Sequence, residues 1–248
     1  MSKKSIKKYY ISEKSKILSN FDKRIKIFRK VLLTQLGTPK TEMILRKVKD
    51  EYKTLIPEII HIEYEKNFLL KEYKNISIAL AFVKVMKRYK YSKEEIAVFI
   101  YEVQKEMYNS AIKRKINLMR ILFNTLHSFP INIIYRKIIK IYEKRAQKRK
   151  KTWNIQIHYV EGDGKDFDYG IDILSCPICD LWQKHDAIEI LPYICLFDFF
   201  KSAMTNSGLI RTMTLSEGRK KCDNRFKRGR KPQNKQKTQF IIRKSLSK

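Results

Sequence analysis

Glycine and proline are scarce, at 7 and 6 of 248 residues. That scarcity excludes collagen-like and Pro/Gly low-complexity chains, and a hydrophobic content of 43% excludes a wholly disordered one. Four cysteines are too few for a disulfide mini-scaffold of this length. No run of about 18 uncharged apolar residues occurs, the length a spanning helix requires. The nearest stretch, Ile116 to Tyr135, contains Arg120, Asn124, His127, Pro130 and Asn132. The lysine-rich N-terminus is followed by no apolar segment, so no secretory signal is seen. The expectation is a cytoplasmic chain with reduced thiols and no membrane partner.

Acidic side chains are also few, 25 against 55 Lys and Arg, which leaves a formal charge of +30. Such a charge invites a nucleic-acid reading, but its distribution argues otherwise. Residues 1–30 hold 11 basic and 2 acidic side chains, and residues 217–248 hold 13 and 2. Residues 161–198 reverse the balance, with 9 acidic side chains against Lys165 and Lys184. A nucleic-acid binder would surround its site with cations. Here the motif-rich segment is acidic, so solvated helix faces account for the lysines better, and nucleic acid is not expected as the main partner.

Periodicity divides the chain at about residue 150. Ile25, Phe28, Val31, Leu32 and Leu36 recur at helical spacing, and Gly37-Thr38-Pro39 ends that helix. Further helices are expected over 41–55, 64–89 and 107–127, and again beyond Pro130, where Ile138, Ile139 and Tyr142 share a face. Ser92-Lys-Glu-Glu95 reads as a capping box opening another. From Trp153 the pattern alternates: 153–160 and 167–174 read as a hairpin of strands around Gly162-Asp-Gly164. A short helix is expected over 177–185, another over Leu191–Met204, then strands over Leu209–Leu215 and Cys222–Phe226. The expected organisation is a helical region at 1–150, an α+β region with the chemical motifs at 151–228, and a loosely ordered basic tail at 229–248. The fold class is α+β, a helical part packed on a small antiparallel sheet.

All four cysteines, Cys176, Cys179, Cys195 and Cys222, fall in the α+β region. Three readings compete. Cys176-Pro-Ile-Cys179 has zinc-knuckle spacing, but Cys195 and Cys222 are 27 positions apart and form no second close pair. Cys195 and Asp198 lie three apart on a helix, hence on one face, as a thiol–carboxylate pair would. Buried free cysteines acting as small hydrophobes are the third reading, and Cys179 suits it well. On a strand, Cys222 and Asp223 point to opposite faces, so one of them faces a given pocket. The four histidines share no metal-ligand spacing, although His158 sits on the first strand.

The segment Asn206-Ser-Gly-Leu-Ile-Arg-Thr-Met-Thr, continuing through Gly218 to Cys222-Asp-Asn-Arg-Phe226, resembles the C-terminal signature of the L-2-amino-thiazoline-4-carboxylic acid hydrolase family. That signature is an Arg-Thr-x-Thr strand, a glycine, then Cys-Asp-Phe-Arg-Phe. Upstream, the family's strand ending in Cys matches Phe167–Cys176, and its Cys-x-x-Asp helix matches Cys195–Asp198. The resemblance is specific over about 153–228, and Leu55–Ile59 is the one fragment of it in the helical half. Asn224 departs from the family's usual Phe.

The resemblance implies a hydrolase acting at a cyclic C=N bond of a small heterocyclic carboxylate, as in conversion of L-2-amino-thiazoline-4-carboxylate to carbamoyl-cysteine. On that implied chemistry Cys195 and Asp198 act as nucleophile and acid–base pair, Cys222 is the rival nucleophile and Asp223 orients. Arg211, Thr212, Thr214 and Cys176 form the substrate-binding set, Arg211 by a bidentate grip on a carboxylate, unless it simply pairs with a neighbouring Asp. No metal or other cofactor is called for. The alternatives are a zinc hydrolase using the same cysteines as ligands, and an inactive basic protein associated with nucleic acid. The oligomeric state is not legible.

Overall fold

The computed structural model describes residues 9–59, 68–126, 131–148 and 155–234. Trp153, Pro130, His61, His127 and the tail beyond Asn234 lie outside the described residues. Helix α1, Lys14–Leu36, buries Ile17, Phe21, Ile25, Phe28, Val31 and Leu32, one residue per turn along a single stripe. It ends at Gly37, whose φ of +71° suits a residue without a Cβ. Helix α2, Thr38–Leu55, starts immediately with Pro39 in its first turn. A 3-10 turn, Ile56–Glu58, follows. Helix α3 spans Phe68–Arg88.

Helix α4 runs unbroken from Lys93 to Leu126, so the expected segment at 107–127 continues the one that Ser92 opens. The capping box forms as the sequence implies: the Glu95 N–H donates to Ser92 Oγ at 3.2 Å, and the Ser92 N–H donates to Glu95 Oε2 at 2.7 Å. Helix α5, Ile131–Lys148, packs on the sheet.

The sheet contains β1 (Gln156–Glu161), β2 (Tyr169–Ser175), β3 (Leu209–Arg211), β4 (Cys222–Phe226) and β5 (Gln233–Asn234). Its order is β1-β2-β4-β3-β5, antiparallel except for the β3–β5 pair. The protein is therefore α+β, as the periodicity implied. Between the sheet's hairpin and its later strands come helices α6 (Pro177–Lys184), α7 (Leu191–Cys195) and α8 (Phe197–Thr205).

Two local expectations are corrected. The helix expected over Leu191–Met204 is two helices, α7 and α8, joined at Leu196. The strand expected over Leu209–Leu215 stops at Arg211. The backbone N–H groups of Thr212 and Met213 turn away from the ladder to donate to Asp223 Oδ1, at 2.9 and 2.8 Å.

Register decides which side chains meet the helices. Ile157, Ile173 and Cys222 are aligned across β1, β2 and β4 on one face, and that end of the face joins the main core with α1 to α4. Tyr159, Tyr169 and Phe226 share the face further along and pack on Ile139 of α5. The opposite face carries His158, Asp172 and Asp223 in one row. Among the described residues no helix is long and apolar enough to cross a membrane.

Candidate active site

The face that carries Cys222 does not pack solid. A cavity of about 490 Å³ lies between the sheet end, α6 to α8 and the helices α1, α3 and α4. Its wall is mostly aliphatic and aromatic, but all four cysteines reach it, together with Asp198 and Arg211. That volume suits a single small ring with substituents.

The chain delivers the thiols from separate elements. Strand β2 ends at Ser175 and hands over to Cys176, which is the N-cap of α6 in extended conformation, with Pro177 in the first turn. The Cys179 N–H donates to the Cys176 carbonyl at 3.0 Å, closing the first turn. Hydrogen bonding with the Cys179 side chain, reinforced by the backbone N–H groups of Cys179 and Ile178, outweighs burial and holds the Cys176 thiol below its ordinary pKa. The same thiol–thiol hydrogen bond, followed by burial, pushes Cys179 up. Cys179, which the sequence offered as a small hydrophobe, is therefore the partner of Cys176.

Cys195 and Cys222 lie in a different electrostatic state. Burial pushes Cys195 up to about 12 against the pull of Arg211. Burial pushes Cys222 up to about 11, although the Leu215 N–H donates to its sulfur at 3.4 Å. Ser216 Oγ donates to Cys195 Sγ at 3.7 Å. Both remain neutral thiols near pH 7.

Arg211 ends β3 and turns inward, 2% exposed. Its Nη1 donates to Asp198 Oδ2 at 2.9 Å and its Nη2 donates to the Cys195 carbonyl at 2.7 Å. Its plane lies over the Phe199 ring, with 4.9 Å to the centroid. Burial opposes its charge, but the Asp198 carboxylate outweighs that and raises its pKa. Asp198 sits in the first turn of α8, where a carboxylate also meets the positive end of the helix dipole.

The remaining expected residues sit behind this wall. Thr212 Oγ1 donates to Asp223 Oδ2, so Asp223 ties down the loop after β3 while Cys222, its neighbour, faces the cavity. Thr214, fully buried, pairs its hydroxyl with Ser216 Oγ at 2.9 Å. Thr212, Thr214 and Asp223 are not among the cavity's lining residues, nor is Asn224, which is buried on the same sheet face as Cys222. His158 lies on the outer face with its Nδ1 3.0 Å from Glu143 Oε1.

The helical half supplies wall residues that sequence reasoning missed. Gln104 of α4 donates its Nε2 to the Tyr193 and Ile194 carbonyls, at 3.1 Å each. That fixes the amide's orientation and leaves Oε1 buried with no partner among the described residues. Asn75 of α3 likewise has a buried Oδ1 with no partner among them. Arg24 of α1 lines the cavity one turn from Phe28. The available signal was a polar residue bordering an apolar helical stripe. Among the described residues, no group of three or more His, Cys, Asp and Glu side chains is placed to hold a metal ion.

Residues 71–226, more than half of the chain, match the family model described as L-2-amino-thiazoline-4-carboxylic acid hydrolase. The match reaches well upstream of residue 153 and covers nearly all of α3 and the whole of α4 and α5, so it holds every lining residue except those of α1; Leu55–Ile59 also falls outside. No curated protein and no solved structure matches the chain.

Proposed function

The chain belongs to the L-2-amino-thiazoline-4-carboxylic acid hydrolase family, and we propose that it hydrolyses a small cyclic amidine carboxylate, such as L-2-amino-thiazoline-4-carboxylate, to a ring-opened carbamoyl product. The observation that carries this reading is the convergence of Cys176, Cys179, Asp198 and Arg211 on one ring-sized, mostly apolar cavity.

The chemistry needs an electrophilic amidine carbon, a nucleophile, a proton donor and an activated water. Cys176 is the nucleophile in this reading, because its thiol is the one held below its ordinary pKa while Cys195 and Cys222 are held above theirs. Its sulfur adds to the amidine carbon, and the C=N electron pair moves to nitrogen, which takes a proton. Collapse expels one ring heteroatom: the sulfur for an N-carbamoyl product, the nitrogen for an S-carbamoyl one. Water then adds to the enzyme-bound carbon, and Cys176 leaves as the carbonyl forms.

Cys179 supplies the thiol proton within reach of Cys176 and recovers it on release. The Asp198 carboxylate activates the water, and Arg211 fixes its orientation. Thr212 and Asp223 act behind the wall by holding the β3–β4 connection that presents Arg211 and Cys222.

Turnover of L-2-amino-thiazoline-4-carboxylate by wild type, Cys176→Ser, Cys195→Ser and Cys222→Ser tests the reading. Loss of about 10³-fold or more in kcat is expected for Cys176→Ser, with less than tenfold for the other two. Near-normal turnover by Cys176→Ser overturns the nucleophile; no turnover by wild type overturns the substrate class.

A further inference from the structure

We infer that Arg24 of α1 is the anchor for the substrate's carboxylate, an inference that rests on the hydrolase reading above. Three cations line the cavity: Arg24, Lys201 and Arg211. Arg211 already spends one terminal nitrogen on Asp198 and the other on the Cys195 carbonyl. Gripping a ligand carboxylate with both nitrogens would require breaking both of those bonds. Lys201 lies over the Phe197 ring, with 5.1 Å to the centroid. Arg24 has no hydrogen-bonded or ion-paired partner among the described residues. Asp22, its nearest acidic neighbour in sequence, is held by Lys49 at 2.7 Å.

A charge of +30 makes unpaired cations ordinary on this protein's surface. Arg24 differs in its location. It is half-buried and lines the cavity that Ile27, Phe28 and Met107 also line. An apolar surround weakens solvent screening and strengthens a guanidinium–carboxylate contact. The guanidinium fork matches a carboxylate with two parallel N–H donors, which fixes orientation as well as position. Anchored there, the ring is held between α1 and the sulfur-bearing wall formed by α6 and β4. Arg24 precedes the family-matched segment, which begins at residue 71, so this contact is a property of the chain's own N-terminal helix.

Arg24→Gln and Arg24→Lys, assayed with the carboxylate and with 2-amino-2-thiazoline, which lacks it, test the inference. The preference for the carboxylate, as a ratio of kcat/KM values, is expected to fall at least about tenfold in Arg24→Gln, chiefly through KM, and to recover in part in Arg24→Lys. An unchanged preference in Arg24→Gln overturns the anchor. Calorimetric binding of the carboxylate, read without turnover, separates this result from failure of the hydrolase reading. Binding by wild type that is lost in Arg24→Gln supports the anchor even if no product forms; equal binding in both overturns the anchor alone, and absent binding in both overturns the anchor together with the substrate class.

Discussion

Arg211 and Asp198 form an unequal pair: the guanidinium is 2% exposed while the carboxylate it grips at 2.9 Å is 48% exposed. The inequality sets the order of damage on mutation. Asp198→Ala removes the carboxylate that offsets a buried cation, which costs on the order of 3 kcal/mol. Arg211→Met leaves a carboxylate that water can solvate and a Cys195 carbonyl without its donor, about 1 kcal/mol. Urea unfolding is expected to rank Asp198→Ala as the less stable variant, although it alters the more exposed residue. The reverse order would mean that the pair contributes little and that the packing of Arg211 on Phe199 dominates.

Cys176 should be the thiol that reacts first with iodoacetamide near pH 7, identified by peptide mass after brief exposure. Thiolate is the reactive form, and the Cys179 hydrogen bond favours it at Cys176. Cys179→Ala removes that donor, so the Cys176 pKa rises and its alkylation profile moves to higher pH. Equal labelling of Cys195 and Cys222, both of which burial raises, would contradict the electrostatic ordering of the cavity.

The sequence made local features legible where the cause is local. Ser92 and Glu95 are three residues apart, and their reciprocal capping needs nothing from the rest of the fold. The alternation that gives β4 its bounds also puts Cys222 and Asp223 on opposite faces, as observed. The end of β3 was not legible, because it is set by Asp223, eleven residues beyond Thr212, capturing two backbone N–H groups that a ladder would otherwise use. The same holds for the thiols. Spacing alone presented Cys176 and Cys179 as metal ligands or filler. Their chemistry arises from an N-cap geometry at the end of β2, for which Pro177 in the first helical position was the one available sign. Arg24 could not be linked to the cavity without knowing that α1 covers it.

Gly208 should be far less replaceable than Gly218, although both have positive φ. An added Cβ at Gly208 would sit 1.9 Å from the backbone carbonyl oxygen of Lys227, the residue whose N–H donates to the Gly208 carbonyl at 3.2 Å. Strand β3 and the turn after β4 must separate to admit it. At Gly218 nothing among the described residues lies within 4 Å of an added Cβ, and only the left-handed conformation is strained. Gly218→Ala is expected to cost about 1 kcal/mol, and Gly208→Ala about 3 kcal/mol or more, by denaturant midpoint at fixed m. Equal costs would place β3 further from that turn than described.

Asp172 ties acid stability to the outer sheet face. It lies across the β2–β4 ladder from Asp223, a like-charge neighbour that is unfavourable by itself. Burial by itself would raise its pKa. Hydrogen bonds from Lys221 at 2.7 Å and Arg225 at 2.8 Å, with the charges of both, outweigh burial and hold the carboxyl below its ordinary range. A lowered folded pKa means that the stabilisation is fully present above the unfolded value, about 4, and is lost as pH falls through the folded one. Asp172→Asn has no such proton to take up. Wild type is therefore expected to exceed Asp172→Asn in stability at pH 6, and the gap should narrow as pH falls below about 4. Parallel stability curves over that range would show that Lys221 and Arg225 do not hold the carboxylate in its charged form.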